Sequence, residues 1–151
     1  MELFRISLGT YAGALTPSGS ANRWNVTGQQ VLYAGSARSL STLELVVHRS
    51  SIKPSASYKV MVLSIADEDH LVKQVHIADL PADWRKIAAY GRLQTIGSHW
   101  YTRQESLLLK VPSAIIIQEY NYVINTTHPE FAAKVKIVRT EDYFWDDRLF
   151  A

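Results

Sequence analysis

The 151-residue chain contains no cysteine. That absence removes disulfides, thiolate nucleophiles and cysteine-ligated zinc, so any chemistry must be carried by oxygen and nitrogen. Long apolar runs are also missing: the longest uninterrupted aliphatic stretch is Ala114-Ile115-Ile116-Ile117, far short of the roughly 20 residues a membrane-spanning helix needs. Charge of one sign is scarce, with 16 Lys plus Arg against 14 Asp plus Glu and a formal net charge of +2. No basic cluster of the kind that tracks a phosphate backbone is present, so neither direct nucleic-acid binding nor membrane insertion is expected. Met1-Glu2-Leu3-Phe4-Arg5 is neither a basic leader nor an apolar signal core, which makes a cytoplasmic setting the expectation. Glycine is thin beyond the first quarter, where Gly9, Gly13, Gly19, Gly28 and Gly35 are followed only by Gly91 and Gly97.

What is present is enough apolar material for one globular domain over residues 1–151, since 47% of the chain is hydrophobic and a chain of this length builds its own core. Leu3 to Ser7 reads as a strand, and Thr10 to Ala21 as a flexible loop that can close over a ligand. Val31-Leu32-Tyr33-Ala34 is a second strand, turned by Gly35-Ser36 into a helix from about Ala37 to Arg49. On that helix Leu40, Leu43, Glu44 and Val47 fall within a sector of about 100°, so a carboxylate lies at the edge of an apolar stripe. Ile52 to Ser57, with Pro54, is a linker; Tyr58 to Ile65 is a half-buried strand; Asp67 to His70 turns.

Pro81 sits in the first turn of a helix expected from Leu80 to about Arg92, and the apolar runs Leu107–Val111 and Ala114–Ile117 read as two central strands broken at Pro112-Ser113. Asn121 to Asn125 is polar at its ends and apolar between. His128-Pro129 starts a short helix through Val135, and Lys136 to Arg139 is the last strand. Near the C-terminus Glu141-Asp142 and Asp146-Asp147 bracket Tyr143-Phe144-Trp145, which reads as a solvated turn tucking its aromatics onto the core. Three helices that do not alternate regularly with the strands give an α+β class: one compact domain, mixed or antiparallel sheets, flanking helices. A Walker loop and the G-x-G-x-x-G fingerprint are both absent.

Four polar features stand at strand ends or on an apolar face: Arg23-Trp24-Asn25, Tyr33, Glu44 and Ser113. A partly buried carboxylate such as Glu44 is a recurrent site signature, whereas a loop cation, a sheet tyrosine and a turn serine also serve folds with no chemistry at all. His48, His70, His76, His99 and His128 show no tight ligand spacing, so no metal site is expected. There is no G-x-S-x-G elbow to organise a serine triad. Taken alone, these residues leave an enzyme and a non-catalytic binding module both open.

Taken together, they resemble a known family. Arg23-Trp24-Asn25-x-x-Gly28-x-x-Val31-Leu32-Tyr33-Ala34, then Ser39-Leu40 with Leu43-Glu44 and Val47-His48, then Val111-Pro112-Ser113-Ala114, then Asn121-Tyr122 with Asn125 and His128-Pro129, resemble the RES domain family over nearly the whole chain. The departure is Thr126-Thr127 after Asn125, where a proline is expected nearby. The Arg, Glu and Ser for which the family is named correspond to Arg23, Glu44 and Ser113. The resemblance implies a fold similar to that of ADP-ribosyltransferases and a bacterial toxin that takes NAD+ as substrate. It further implies a growth-arresting cleavage of the nicotinamide–ribose bond by hydrolysis or phosphorolysis, or else transfer of ADP-ribose to a host protein. An Xre-like helix-turn-helix antitoxin is the implied partner, with assembly as a homodimer or a hetero-oligomer with that antitoxin. In this reading Arg23, with Arg5 as a second candidate, grips the pyrophosphate. Tyr33 stacks on nicotinamide or fixes the nearby ribose, with its hydroxyl as a handle; Glu44 stabilises the ribose cation and orients the ribose hydroxyls or the attacking water; Ser113 bonds the amide or the ribose; and Asn121 and Trp24 shape the pocket.

Overall fold

Strand-period alternation in separate short segments builds one seven-stranded sheet in the computed structural model, which describes residues 1–48, 56–144 and 146–150. The strands are β1 (Glu2–Leu8), β2 (Val31–Gly35), β3 (Tyr58–Ile65), β4 (Val72–Gln74), β5 (Leu108–Pro112), β6 (Tyr120–Asn125) and β7 (Val135–Tyr143). Their order is β4-β5-β6-β2-β1-β3-β7, antiparallel throughout except for the parallel β4–β5 pair. Helices α1 (Arg38–Val47), α2 (Tyr90–Arg103) and α3 (Phe131–Lys134) complete the α+β domain. The helix end expected near Arg49, most of the linker around Pro54, and Trp145 lie outside the described residues.

Alternation sorts the side chains onto two faces. Leu3, Leu32, Ala34, Leu63, Ile65, Leu108, Tyr122 and Ile124 belong to one continuous core. The opposite face is divided. Val31, Leu109, Val111 and Val123 pack with Trp24, Trp84, Leu93 and Trp100 under α2, while Phe4, Val60 and Val62 gather with Ile6 and Tyr143. Helix α1 is tied to this last group: Ser41 Oγ donates to the Phe4 carbonyl at 2.8 Å, the Tyr143 hydroxyl donates to Thr42 Oγ1, and the Arg38 guanidinium lies over the Phe4 ring. Each fully buried Leu or Val contributes about 1.5–3 kcal/mol, so both covers are held firmly to the sheet.

Several expectations are corrected. The helix expected over Leu80–Arg92 is instead a run of turns, with Trp84 N–H on Pro81 O and Lys86 N–H on Asp83 O, and α2 begins at Tyr90 near where that helix was to end. The apolar stripe Leu93, Gly97, Trp100 sets α2, and Gly91 and Gly97 are interior to it. Gln104 closes α2 in the left-handed region at φ 50°.

Ala114–Ile117 is not a strand. Ser113 Oγ accepts the amides of Ile115 and Ile116, and a bond from Glu119 N–H to Ile116 O completes a tight loop between β5 and β6. The last strand is longer than expected, α3 shorter, and β4 was not anticipated. Val47 is 63% exposed, so α1 buries less of the expected stripe, and Phe144 at 84% exposure does not tuck onto the core.

Candidate active site

The cleft opens where the sheet parts. Strands β1 and β2 share a single register pair, Phe4 with Gly35, and the residues that would pair next, Arg5 and Ile6 with Ala34 and Tyr33, line a cavity of about 490 Å3 instead. One wall is α1, which presents Ser41, Glu44, Leu45 and His48 at positions i, i+3, i+4 and i+7 of one face. The facing wall is the Asn22–Trp24 loop with Ser18 and Ser20 from the preceding segment, and Asn121 on β6 also lines the cleft. Gly35 makes the junction possible: a Cβ there would stand 2.5 Å from Ser41 Oγ, the atom that ties α1 to β1.

Two cations face this space. Arg5 Nη1 donates to the Tyr33 carbonyl at 3.0 Å, across the parted strands, and burial lowers its pKa from the ordinary arginine value. Arg23 Nη1 donates to the carbonyls of Trp84 and Arg85 at 3.1 and 3.2 Å, with its guanidinium stacked 4.7 Å over the Tyr90 ring. Arg38, Arg92, Arg139 and Arg148 are each bonded to a carboxylate, whereas among the described residues Arg5 and Arg23, like Arg85 outside the cleft lining, bond only backbone carbonyls. A carbonyl fixes a guanidinium without neutralising it, so both charges remain available to an anion.

The carboxylate is held on one oxygen. Glu44 Oε1 accepts from Ser113 Oγ at 2.9 Å and from Asn121 Nδ2 at 2.6 Å, while Oε2 has no partner among the described residues. Register explains the convergence: Gly35 pairs with Asn121 and Asn121 with Val111, so the start of α1, β6 and the end of β5 lie side by side. Ser113 is fully buried and behind Glu44; its hydroxyl donates to the carboxylate and accepts two amides, which leaves nothing for a ligand. The direct substrate contact expected of Ser113 is therefore replaced by positioning of Glu44.

The structure thus brings Arg5, Arg23, Tyr33, Glu44 and Asn121 to one cleft and sets Ser113 behind it. The hydroxyl of Tyr33, expected as a handle for substrate, is instead committed to the loop: it donates to Asn25 Oδ1 at 2.6 Å and accepts the Trp24 amide at 3.2 Å. Burial raises its pKa above the ordinary tyrosine value and keeps it neutral. What Tyr33 offers the cavity is its ring.

Sequence reasoning singled out Asn25 within Arg23-Trp24-Asn25 but missed how it, Gln94 and Gly97 build the loop wall. Asn25 is buried and donates to the carbonyls of Ser20 and Val26; Gln94 on α2 donates to the Asn22 carbonyl. Gly97 lets α2 approach so closely that an added Cβ would stand 1.7 Å from the Trp24 carbonyl oxygen. Gln94 and Gly97 lie past the helix end expected near Arg92, so neither stood out in sequence. Among the described residues no group of three or more His, Asp or Glu converges as metal ligands would.

Known proteins resemble this chain over most of its length. A family model described as the RES domain matches residues 2–146. A relative from Yersinia enterocolitica serotype O:8 / biotype 1B, named Toxin Res, is 30% identical over 153 residues and 99% of each chain. Another from Sphingobium sp. (strain YBL2), named Prs ADP-ribosylating toxin, is 34% identical over 142 residues, covering 91% of this chain and 84% of its own. Among solved structures, a chain of the M. tuberculosis MbcT–MbcA toxin–antitoxin complex shares the fold with a TM-score of 0.72 at 16% identity, over 94% of this chain and 83% of that one.

Proposed function

The chain belongs to the RES domain family, and from that membership and the geometry of the cleft we propose that it is the toxin of a toxin–antitoxin pair and consumes NAD+ by breaking the nicotinamide–ribose bond. The names of its relatives support the toxin reading. The observation that carries the chemical reading is Glu44, a carboxylate fixed through one oxygen by Ser113 and Asn121, in a cleft with two arginines; among the described residues its other oxygen is unclaimed and the arginines bond no carboxylate.

Departure of nicotinamide takes the bonding pair to its ring nitrogen and leaves a neutral molecule, so no acid is required. The burden falls on positive charge developing at the ribose, where a preoriented carboxylate stabilises the transition state more than the ground state. Glu44 Oε2 takes that role. Arg5 and Arg23 hold the pyrophosphate, and the Tyr33 ring flanks nicotinamide. A cavity of about 490 Å3 lies within the range of ligand pockets, roughly 300–1,000 Å3. Asn121, proposed from sequence as a cofactor contact, acts here through Glu44.

The acceptor of ADP-ribose in this reading is a small nucleophile, water or inorganic phosphate. Transfer to a protein is the second reading, favoured by the printed name of the Sphingobium relative. Incubating the purified chain with inorganic phosphate, bacterial protein extract and NAD+ labelled in the adenylate half separates them: free ADP-ribose or its phosphate, beyond that formed by extract alone, supports the first, a newly labelled protein the second, and NAD+ consumed no faster than by extract alone contradicts both. Glu44→Gln is expected to slow nicotinamide release by about a hundredfold or more.

An antitoxin partner is supported by the toxin–antitoxin complex that shares this fold, and its Xre-like helix-turn-helix character is proposed from the family resemblance. Assembly as a homodimer or with that antitoxin accompanies the reading. Light scattering that shows a 17.1 kDa species alone, with and without a co-expressed antitoxin, would contradict it.

A further inference from the structure

Helix α1 carries a second chemically competent side chain on the face that bears Glu44. His48 is four residues on, one turn further along the same face, and lines the cleft at the helix's C-terminal end. Its Nδ1 lies 2.7 Å from the Glu44 backbone oxygen. A carbonyl oxygen only accepts, so Nδ1 must carry the hydrogen, and in the neutral ring Nε2 is left as a lone-pair acceptor. His70 and His99 each face a carboxylate, Glu130 and Glu105; no carboxylate pairs with His48 among the described residues. A backbone contact that fixes tautomer and ring orientation while leaving the other nitrogen unclaimed is the arrangement a general base requires.

We propose that His48 is the general base that activates the water attacking the ribose. The inference rests on the reading of the cleft as an NAD+-cleaving site. The bond from ribose C1′ to the nicotinamide nitrogen breaks, with its electron pair leaving on nicotinamide. A water oxygen bonds to C1′, Nε2 of His48 takes the proton that water loses, and the imidazolium returns it to solvent. Glu44 and His48 thereby divide the work along one helix face: the carboxylate stabilises the cation, and the imidazole supplies its nucleophile.

The test uses the purified full chain in phosphate-free buffer and follows nicotinamide release from NAD+ with water alone and with added sodium azide. His48→Asn keeps an amide N–H near Nδ1 but has no basic nitrogen; the position is exposed, and an unchanged thermal midpoint checks the fold. Release with water is expected to fall by about a hundredfold, within the range for loss of a general base. Azide, an anion that needs no deprotonation, is expected to restore release to within a few-fold of the unsubstituted chain and to yield ADP-ribosyl azide. Glu44→Gln is expected to stay slow with azide. Unchanged hydrolysis by His48→Asn, or a slow variant that azide does not restore, overturns the assignment of His48 and leaves NAD+ cleavage standing. If the unsubstituted chain releases nicotinamide only once inorganic phosphate is added, the assignment of His48 to water falls and NAD+ cleavage stands; if it releases none with water, azide or phosphate, the NAD+ reading falls and the assignment with it.

Discussion

At the scale of single residues, Glu44 is defined by what restrains it. Two donors on one oxygen hold the carboxylate in one orientation, and each is itself fixed, Ser113 by its turn and Asn121 by the central strand β6. Ser113→Ala and Asn121→Ala are therefore expected to lower kcat with little change in KM, because they loosen a group that acts in the transition state and touch no part of the substrate. Ser113→Ala also strips the amides of Ile115 and Ile116 of their acceptor and is expected to cost about 1–3 kcal/mol in urea denaturation. A rise in KM at constant kcat would instead place Ser113 on the substrate. Glu44 was legible in sequence because a carboxylate on an apolar stripe is conspicuous. The duties of Ser113 and the Tyr33 hydroxyl were not, because they depend on a turn after Pro112 and on the path of the Asn22–Asn25 loop, neither of which has a period to read.

At the scale of elements, the sequence was readable where one period dominates. The strands at Val31–Gly35 and Tyr58–Ile65 and the helix α1 fall where alternation and the stripe put them. It misled where local chemistry overrides a run of residues. Ala114–Ile117 has the composition of a buried strand, yet the Ser113 hydroxyl captures the amides a strand would need. Pro81 looks like a helix start but begins turns, and α2 instead begins at Tyr90. Gly97 shows why α2 was misplaced: its value is tertiary, as the only residue that lets the helix meet the Trp24 carbonyl. Gly97→Ala, at an otherwise helix-compatible position, is expected to destabilise the chain by about 1–3 kcal/mol or more in chemical denaturation, where an exposed helical Gly→Ala change stabilises. An increase in stability would mean that the loop wall of the cleft yields without cost.

At the scale of the whole molecule, one sheet with a parted middle carries two covers, α1 and α2, and the cleft lies between α1 and the Asn22–Trp24 loop that α2 supports. Strand β7 is joined to α1 through Glu141, whose carboxylate accepts from Arg38 on both oxygens and from Arg139 on one. The Arg38 bonds first, and then Arg139, pull its pKa down from 4.5 to about 2. A depressed carboxylate adds stability that is fully present above 4.5 and is lost as pH falls toward about 2. Glu141→Gln is therefore expected to flatten the acid limb of the stability curve across that window, modestly because the pair is exposed. Parallel curves for the two chains would show that the bridge contributes nothing. The α+β class and the single domain could be read from length and irregular alternation, whereas the strand order and the parting between β1 and β2 could not, since pairing partners leave no mark on a single sequence.

The central claim, that this cleft consumes NAD+ through Glu44 with its arginines holding the pyrophosphate, is tested most directly by intracellular NAD+ after brief induction in bacteria, with Glu44→Gln and Arg23→Ala alongside. The account predicts a steep fall with the unsubstituted chain and levels near those of uninduced cells with either variant. Undiminished NAD+ in cells that stop growing, or an equal fall with Glu44→Gln, would contradict it.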